Sequence, residues 1–334
     1  MATNPLAAAL DRVIDPTSGR GLVTSARATS PRRNGGTVDV VIDVSGLDAP
    51  SRARVESEAR DALVAVPGVA QVRVALTAEK AGTPKLLAVG SGKGGVGKST
   101  VAANLAVALA RTGARVGLVD ADIYGPSQTR LLDAGARPMS EGNKLVPVST
   151  AYGFGLLSMG QLVEPGQAIA WRGPMAGNAL GQLVDAHWGD AELLVVDLPP
   201  GTGDVQLTMI QRFKPAGALI VSTPQDLALI DAARAIDLFD KAGVPVVGLV
   251  ENMAGYACPH CGEVSDPFGQ GGAEAEARRR GLAFLGRIPL SIGIRQASDA
   301  GMPPAAGEQA IASPFRDLAK SIAAWLNPSP TPLF

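Results

Sequence analysis

The chain has 334 residues and a formal net charge of −1, and 46% of its residues are hydrophobic while 18% are charged. At roughly 150 residues per domain, this length suggests two domains. The apolar content permits a large core and excludes global disorder. The balanced charge excludes the basic surface that a nucleic-acid-binding protein needs, so we expect no nucleic-acid partner.

The N-terminal segment MATNPLAAALDRVIDP does not resemble a secretory signal, because Asp11 and Arg12 interrupt its short apolar run. The longest apolar stretches, such as GALIVSTP and PVVGLVENM, are far shorter than the ~20 residues that span a bilayer. Cys258 and Cys261 are the only cysteines, which excludes a disulfide framework. We therefore expect a soluble, cytoplasmic protein without membrane contact.

Residues 1–78 have the pattern of a small α+β domain in the order αββαβ. The segments GLVTSARAT and TVDVVIDVSG alternate apolar and polar residues as half-buried strands do, with a turn at RRNGG between them. PSRARVESEARDALVAV has an apolar helical face, and AQVRVALT closes the domain as a strand. The polar residues 79–85, which include Gly and Pro, are predicted to form a linker.

Residues 86–328 are predicted to form a doubly wound α/β domain with a mostly parallel sheet. Continuous apolar runs such as KLLAVGS, ARVGLVDAD, LLVVDLPP and GALIVSTP suit strands buried on both faces, and helical segments alternate with them. In such a fold ligands bind at the carboxyl ends of the strands. The amphipathic tail SPFRDLAKSIAAWL is expected to pack on the core, because it lacks the basic face of a membrane-binding helix.

The stretch GSGKGGVGKST predicts a phosphate-binding loop, because it fits G-x-x-x-x-G-K-[ST] between a buried strand and a helix. Small residues let backbone N–H groups surround phosphate oxygens, and the following helix directs its positive end at the anion. Lys98 is expected to reach the β- and γ-phosphates, and Ser99 to bind Mg²⁺. The expected nucleotide-binding residues of the loop are Gly92, Lys93, Gly94, Gly95, Val96, Gly97, Lys98, Ser99 and Thr100.

Lys93 is a second lysine inside this loop. KGGVGKST resembles the deviant Walker A loop of the dimeric ATPases that include MinD and ParA. In that family the early lysine reaches across a homodimer interface, so the resemblance implies that Lys98 serves the chain's own nucleotide and Lys93 that of the partner. A cation in this place stabilises charge that builds on the phosphoryl group during transfer. A solvated lysine on the loop is the alternative.

Carboxylates follow two of the predicted strands. In the resembled family an aspartate at the position of Asp122 orients the attacking water. Asp120 is expected to help either the Mg²⁺ site or the loop, although such a pair could instead cap a turn. Asp197 ends the strand LLVVD in the Walker B arrangement, where the carboxylate holds a water bound to Mg²⁺. The segment 199–204 resembles switch II, whose glycines permit movement. The resemblance implies slow ATP hydrolysis that is coupled to conformational change.

Asn252 in LVENM stands where the resembled family binds the adenine ring. A side-chain amide can pair with the edge of the base, which favours ATP over GTP, and the chain has no N-K-x-D motif of the GTPase kind. A turn-capping asparagine is the alternative.

Cys258 and Cys261 form a C-x-x-C pair. A redox dithiol prefers the start of a helix, whereas Pro259 and Gly262 indicate a turn. A zinc site needs four ligands, His260 is poorly placed for the same ion, and a buried structural pair is a further alternative. Two chains related by a two-fold axis would supply four thiolates, which suits a [4Fe–4S] cluster and equally a Cys₄ zinc site.

Seven motifs occur in one order along the chain. They are GSGKGGVGKST, VDADIYGPS, WRGPM at Trp171 to Met175, DLPPGTGD, STPQD at Ser222 to Asp226, ENMAGYACPHCG and FGQGGAE. Together they resemble the Mrp/ApbC-type iron–sulfur cluster carrier ATPases over about residues 85–304. Residues 1–78 resemble the SufT-like metal–sulfur assembly domain but hold no cysteine.

The resemblance implies a homodimer that binds ATP and Mg²⁺, hydrolyses ATP slowly and holds a labile [4Fe–4S] cluster on Cys258 and Cys261. Its partners would be apo iron–sulfur proteins that receive the cluster. The alternative is a positioning or regulatory ATPase of the ParA/MinD class, with or without a bridging zinc. The phosphate loop fits that class equally, but the charge does not suit DNA binding and the C-x-x-C pair would have no role.

Overall fold

A computed structural model of the chain describes residues 4–45, 47, 49–77, 83–162 and 173–327. The chain divides into two units, Met1–Gly82 and Thr83–Phe334. Most of the predicted linker, Trp171 and Arg172 of the WRGPM motif, and residue 328 at the end of the predicted second domain lie outside the described residues. Among the helices of the described part, none is long and apolar enough to cross a membrane.

The first unit contains a three-stranded sheet and two helices. Its elements are α1 (Pro5–Leu10), β1 (Arg32–Asn34), β2 (Thr37–Asp43), α2 (Ala49–Val64) and β3 (Gln71–Thr77). Strand β2 pairs antiparallel with β1 and parallel with β3. Alternate residues of β2, namely Val38, Val40 and Ile42, are buried, as the period of a half-buried strand requires. The predicted order αββαβ is therefore found.

The prediction of a strand at GLVTSARAT is wrong, because residues 22–26 form turns and the first strand is β1. The carboxylate of Asp11 accepts hydrogen bonds from the Thr24 backbone N–H at 2.7 Å and the Thr24 hydroxyl at 2.6 Å. Ser25 N–H donates to the Gly21 carbonyl at 2.8 Å. These bonds replace strand pairing over residues 21–25, and only the end of the segment contacts β2, through an isolated bridge between Ala28 and Ile42. The apolar alternation arose because Leu22 is buried beneath the turns.

The described part of the second unit is an α/β structure with a nine-stranded sheet and a separate two-stranded sheet formed by Met139–Glu141 and Lys144–Val146. Its strands are β4 (Lys85–Gly90), β5 (Val116–Asp120), β6 (Met139–Glu141), β7 (Lys144–Val146), β8 (Val148–Ser149), β9 (Gly155–Ser158), β10 (Leu193–Asp197), β11 (Gly217–Ser222), β12 (Val246–Ala257), β13 (Val264–Ser265) and β14 (Phe284–Leu290). Its α-helices are α3 (Lys98–Arg111), α4 (Gln128–Leu131), α5 (Gly173–Val184), α6 (Asp204–Thr208), α7 (Asp226–Lys241), α8 (Gly272–Arg280), α9 (Ile292–Asp299) and α10 (Ser313–Leu326). A π-helical turn, Met209–Phe213, continues α6.

The strand order of the large sheet is β13-β12-β11-β4-β10-β5-β9-β8, and β14 also pairs with β12. Only β8 with β9 and β12 with β13 pair antiparallel among the described strands of this sheet. The first strand, β4, lies between β11 and β10, so the chain crosses from one half of the sheet to the other around it. The predicted doubly wound, mostly parallel sheet is therefore confirmed.

The sheet separates two hydrophobic cores. Along β4, Leu87 and Val89 face one core together with helices α3 and α10, while Leu86 and Ala88 face the other together with α5 and α7. Burial on both sides explains why these strands are continuous apolar runs. Helix α10 buries an apolar face that includes Phe315, so the tail packs on the core as predicted.

Three of the parallel strands end at the edge where the candidate site lies. Strand β4 leads into the predicted phosphate loop, β5 ends at Asp120, and β10 ends at Asp197. Asp197 lies opposite Asp120 in the β10–β5 ladder and opposite Val89 in the β10–β4 ladder. Strand register alone therefore places both carboxylates beside the loop.

Candidate functional site

The loop between β4 and α3 needs glycine at three positions, at two because of the backbone conformation and at one because of close packing. Gly95 and Gly97 have φ angles of 82° and 81°, in the left-handed region that favours glycine, and Gly97 immediately precedes α3. A Cβ atom on Gly92 would lie 2.0 Å from the backbone carbonyl carbon of Asp231 in α7. The loop thus packs against α7 and leads directly into a 14-residue helix, whose N-terminus favours an anion.

A cavity of about 260 Å³ lies over this loop. Its lining consists of Ser91, residues 93–100, Asp122, Ser127, Leu131 and Pro200. All predicted nucleotide-binding residues of the loop except Gly92 therefore contact one space, and the predicted water-orienting residue Asp122 contacts the same space. The predicted switch II also lies against the loop, because Gly201 N–H donates to the Ser91 carbonyl at 3.0 Å.

Beneath the cavity, Lys98 and Asp197 form a buried ion pair. Lys98 Nζ lies 2.5 Å from Asp197 Oδ1, and the two side chains are 6% and 0% exposed. Lys98 Nζ is also 3.4 Å from the Ser99 hydroxyl. The Gln128 amide donates to the second oxygen of Asp197 at 2.8 Å and to the Ser99 carbonyl at 3.0 Å. The predicted lysine, serine and Walker B aspartate therefore meet in one hydrogen-bonded cluster.

Asp120 is fully buried at the end of β5 and does not line the cavity. Its carboxylate accepts hydrogen bonds from the Gln128 N–H at 3.1 Å, the Ser158 hydroxyl at 2.8 Å and the Asp122 N–H at 3.3 Å. Burial, and then the negative charge of Asp197, raise the pKa of Asp120 to about 7. In this structure Asp120 ties the loop after β5 to the sheet, and its Mg²⁺ role stays a prediction.

Asp122 lies at the rim of the cavity, and its carboxylate accepts hydrogen bonds from the N–H groups of Tyr124 and Gly125 at 3.0 and 3.2 Å. The side chain therefore both organises the following turn and faces the loop. The position of Asp122 therefore fits both alternatives that the sequence left open, a turn cap and a residue that lines the nucleotide cavity. The water-orienting role stays a prediction.

Lys93 lines the cavity, and its ammonium donates to the side-chain oxygen of Gln225 at 3.3 Å. Gln225 directly precedes α7 and is also the acceptor for the Thr223 hydroxyl at 3.4 Å. Lys93 thus contacts the residue that precedes α7, whereas Lys98 is paired with Asp197. The two lysines of the loop occupy distinct environments within the chain.

Asn252 is buried under the loop instead of lining the cavity. Its amide nitrogen donates to the carbonyl oxygen of Val96 at 2.8 Å, and a Cβ atom on Gly97 would lie 2.2 Å from that nitrogen. The amide therefore supports the loop from below. The contact with adenine stays a prediction.

The cysteine pair lies at the tip of the hairpin formed by β12 and β13. Cys258 N–H donates to the Glu263 carbonyl at 2.9 Å and Gly262 N–H to the Cys258 carbonyl at 2.8 Å, with Gly262 at φ 76°. Both thiols are free, and Cys261 is exposed while Cys258 is half-buried. Hydrogen bonds from Cys261 and His260 lower the pKa of the Cys258 thiol. A buried structural pair is therefore excluded.

The donor groups of the described residues do not complete a metal site within one chain. No group of three or more His, Cys, Asp or Glu side chains in this part of the chain is arranged to hold a metal ion. Mg²⁺ usually keeps several waters and takes nucleotide phosphates as ligands, so Ser99 with Asp197 nearby is a sufficient protein contribution. A thiolate-bound centre needs ligands from elsewhere, because this chain has two cysteines in total.

Sequence reasoning missed three residues of this region: Gln128, Ser158 and Gln225. Gln128 and Ser158 bind the buried aspartates, and Gln225 binds Lys93. The only signal in the sequence was the position of Gln128 and Gln225 just after two apolar strands, in VDADIYGPSQ and VSTPQD. Polar residues in such places are common in any α/β fold.

The comparisons with known proteins agree with this geometry. Residues 82–323 match the family of NUBPL iron-transfer P-loop NTPases. The chain belongs to this family. Residues 6–75 match a second family model, described as iron–sulfur cluster assembly protein. As a member of the NUBPL-type family the chain is a nucleotide-binding P-loop ATPase of the iron-transfer class, and the predicted family, fold and ATPase class are confirmed.

Curated relatives match between 72% and 96% of the chain. An iron–sulfur cluster carrier protein of Deinococcus radiodurans is 44% identical over 332 residues, which are 96% of this chain and 94% of the relative. A protein of Arabidopsis thaliana, named iron–sulfur protein required for NADH dehydrogenase, is 47% identical over 72% of this chain and 78% of its own length. The carrier protein of Escherichia coli is 47% identical over 73% of this chain and 68% of its own length.

Two solved structures show the same architecture. A nucleotide-binding protein from Archaeoglobus fulgidus in complex with ADP, in which cobalt was found, has a TM-score of 0.57 and 41% identity. The match covers 65% of this chain and 86% of that protein. The cell division ATPase MinD of Pyrococcus furiosus has a TM-score of 0.54 at 23% identity, over 72% of this chain and 99% of its own, and supports the fold alone.

Proposed function

We propose that the chain binds MgATP in the loop cavity, hydrolyses it slowly, and as a homodimer carries a labile [4Fe–4S] cluster that it delivers to apo iron–sulfur proteins. Residues 86–328 would form the ATPase domain and residues 1–78 a small assembly-type domain joined by residues 79–85. We place this activity in the cytoplasm, where exposed thiols such as Cys261 remain reduced.

The loop residues supply the phosphate contacts. Backbone N–H groups of residues 92–100 surround the phosphates, and the Lys98 ammonium exchanges its buried partner Asp197 for phosphate oxygens. The freed Asp197 carboxylate and the Ser99 hydroxyl would hold Mg²⁺, and Asp120 would help to support that site. When bound, Mg²⁺ neutralises charge on the transferring phosphoryl group. Asp122 orients the attacking water at the rim of the cavity.

Lys93 would act across the dimer. Its ammonium is held by a single contact to the Gln225 amide at 3.3 Å, which is easily exchanged. In a face-to-face dimer it reaches the nucleotide of the partner and stabilises charge in the transition state. The Asn252 side chain, whose amide nitrogen supports the loop, would contact the adenine ring through its amide oxygen and so favour ATP over GTP.

The assignment of an iron–sulfur cluster rests on one observation. Cys258 and Cys261 lie at an accessible hairpin tip, and the chain has no other cysteine. A [4Fe–4S] cluster takes four thiolates, so two chains must share one cluster. The lowered pKa of Cys258 favours the thiolate that binds iron. Separation of the two chains breaks half of the iron–thiolate bonds, which explains how such a cluster is released.

A transfer assay tests this function. The chain, loaded anaerobically with iron and sulfide and then desalted, is mixed with an apo iron–sulfur enzyme that needs a [4Fe–4S] cluster for activity. We expect the enzyme to regain activity faster than with equal free iron and sulfide, and the Cys261→Ala variant to give no transfer. Equal rates with and without the loaded chain would contradict the carrier function.

A further inference from the structure

Strand β12 connects the phosphate loop to the cysteine pair along one continuous stretch of backbone. It runs from Val246 to Ala257, with Asn252 under the loop and Cys258 directly after its last residue. The Asn252 amide donates to the Val96 carbonyl at 2.8 Å, in space that is open only because Gly97 has no side chain: a Cβ atom there would lie 2.2 Å from the amide nitrogen. A displacement of the loop at Val96 therefore acts directly on β12.

The residue before Asn252 is fixed to the rest of the unit. Glu251 is fully buried, and its carboxylate accepts hydrogen bonds from the backbone N–H groups of Gly271 at 3.2 Å and Ala273 at 2.9 Å. It also pairs with the Arg287 guanidinium at 3.0 Å. Removal of such a charge from its partners is costly. Glu251 thus anchors β12, and any movement must occur after it.

The backbone bends immediately beyond this anchor. Met253 has a φ of 58°, in the left-handed region that is rare for a residue with a long side chain, and Gly255 has a φ of 71°. The register between β12 and β14 shifts between Asn252 and Tyr256. Beyond the bend, Tyr256 pairs with Leu290 of β14 in the shifted register, and Tyr256 and Ala257 also pair with β13, which completes the cysteine hairpin. The strained segment therefore separates the anchored part of β12 from the part that carries the thiols.

We infer that Asn252 is a positioning residue that links the nucleotide state of the loop to the orientation of Cys258 and Cys261, with the bend at Met253–Gly255 as the part that changes. This inference rests on the proposed function, in which the loop binds nucleotide and the two thiols hold the cluster. In physical terms, the loop and the hairpin share one two-state element, and nucleotide binding biases it. The route consists of the Val96 carbonyl, the Asn252 amide and the bend.

Thiol labelling tests this link without any cluster. Because Cys258 and Cys261 are the only cysteines, alkylation of the full chain reports the hairpin alone. The alkylation rate of each cysteine is measured by mass spectrometry with and without saturating MgADP. The protein concentration is chosen so that size exclusion shows the same oligomeric state in both conditions. We expect bound MgADP to change the rate at Cys258 by about fivefold or more.

Three variants assign the effect to the bend and the amide. Met253→Gly removes the left-handed strain, and we expect it to bind MgADP but to lose the rate change. Ala26→Gly, at a φ of 59° in the first unit, is the matched control and keeps the wild-type rate change. We expect Asn252→Ala, measured at saturating MgADP, to lose the change in alkylation rate as well. Should Met253→Gly fail to fold, Asn252→Ala alone decides.

An unchanged rate at Cys258 in wild type with MgADP bound would overturn the inference, and so would a wild-type rate change in both Met253→Gly and Asn252→Ala. A failure of the proposed function has a different signature, since it shows in iron loading, which this experiment does not use. A wild-type chain that loads iron but shows no change in labelling would contradict the link between Asn252 and the cysteines but not the carrier function.

Discussion

The ammonium of Lys98 lies 2.5 Å from the carboxylate of Asp197, and both side chains are buried beneath the phosphate loop. Asp197 is in turn opposite Asp120 in the sheet ladder, so one cation lies beside two buried carboxyl groups. Such a cluster is stable only while its charges are balanced, because an unpaired charge away from water is costly.

Lys98→Met keeps the length of the side chain and removes the cation. We expect the free energy of unfolding at pH 8 to fall by about 3–5 kcal/mol, because the carboxylate of Asp197 loses its partner. Nucleotide binding should also be lost. Denaturant titration and fluorescent-nucleotide titration measure the two effects. Lys320→Met, in an exposed pair with Asp317, is the control and should cost less than ~1 kcal/mol. Equal destabilisation by both variants would contradict this account of the pair.

Because the loop packs against α7, we expect alanine substitutions at Gly92 and Gly94 to have different effects on the loop. A Cβ on Gly92 would collide with the backbone of Asp231, whereas a Cβ on Gly94 would meet only Pro200, at 3.7 Å. We expect Gly92→Ala to displace the loop and abolish nucleotide binding, while Gly94→Ala folds with nearly wild-type stability. Thermal unfolding and nucleotide titration of both variants test this. A Gly92→Ala variant that binds nucleotide normally would show that the loop is not seated as described.

We expect a substitution of Lys93 to slow ATP hydrolysis without weakening ATP binding. Lys93→Ala should bind ATP nearly as wild type but hydrolyse it about 10³-fold more slowly, as expected when a cationic finger is removed. Gln225→Ala is the control, because it removes the contact that holds Lys93 within its own chain. We expect that variant to retain turnover. If binding and turnover fell equally in Lys93→Ala, the action across a dimer would be refuted.

Asp120 predicts a pH dependence of stability. Its pKa is raised to about 7 in the folded chain, above the ordinary value of 3.8, by burial and by Asp197. The folded state therefore holds a proton that the unfolded state has released, and the free energy of unfolding should fall as the pH rises from about 4 to 7. Urea titrations at several pH values without Mg²⁺ and nucleotide measure this. Asp120→Asn should flatten the slope, and an unchanged slope would assign it to other groups.

The elements that were predicted correctly are those with a strong local pattern in the sequence. The apolar runs ending in Asp120 and Asp197 are buried strands of a parallel sheet, and the glycine-rich segment is the loop that follows β4. These features depend on residues close together in the chain. They therefore follow from local pattern and from the rule that sites lie at the carboxyl ends of strands.

Features that depend on distant partners were not predictable in the same way. The bonds of Gln128 to Asp197 and of Asn252 to Val96 join residues 69 and 156 positions apart. The turns near Thr24 were mistaken for a strand because the bond to Asp11 outweighs a weak alternating pattern. The bend at Met253 had no signal either, since methionine rarely adopts a positive φ.

The central claim is that two chains share one iron–sulfur cluster through their cysteine pairs. The most direct measurement is anaerobic reconstitution with iron and sulfide, followed by an absorption spectrum and a metal count for wild type and Cys258→Ala. We expect a broad visible band and about four iron ions per two chains in wild type. The variant should have neither, with nucleotide binding intact. Bound zinc in place of iron, a colourless wild-type protein, or full iron retention in Cys258→Ala would contradict the claim.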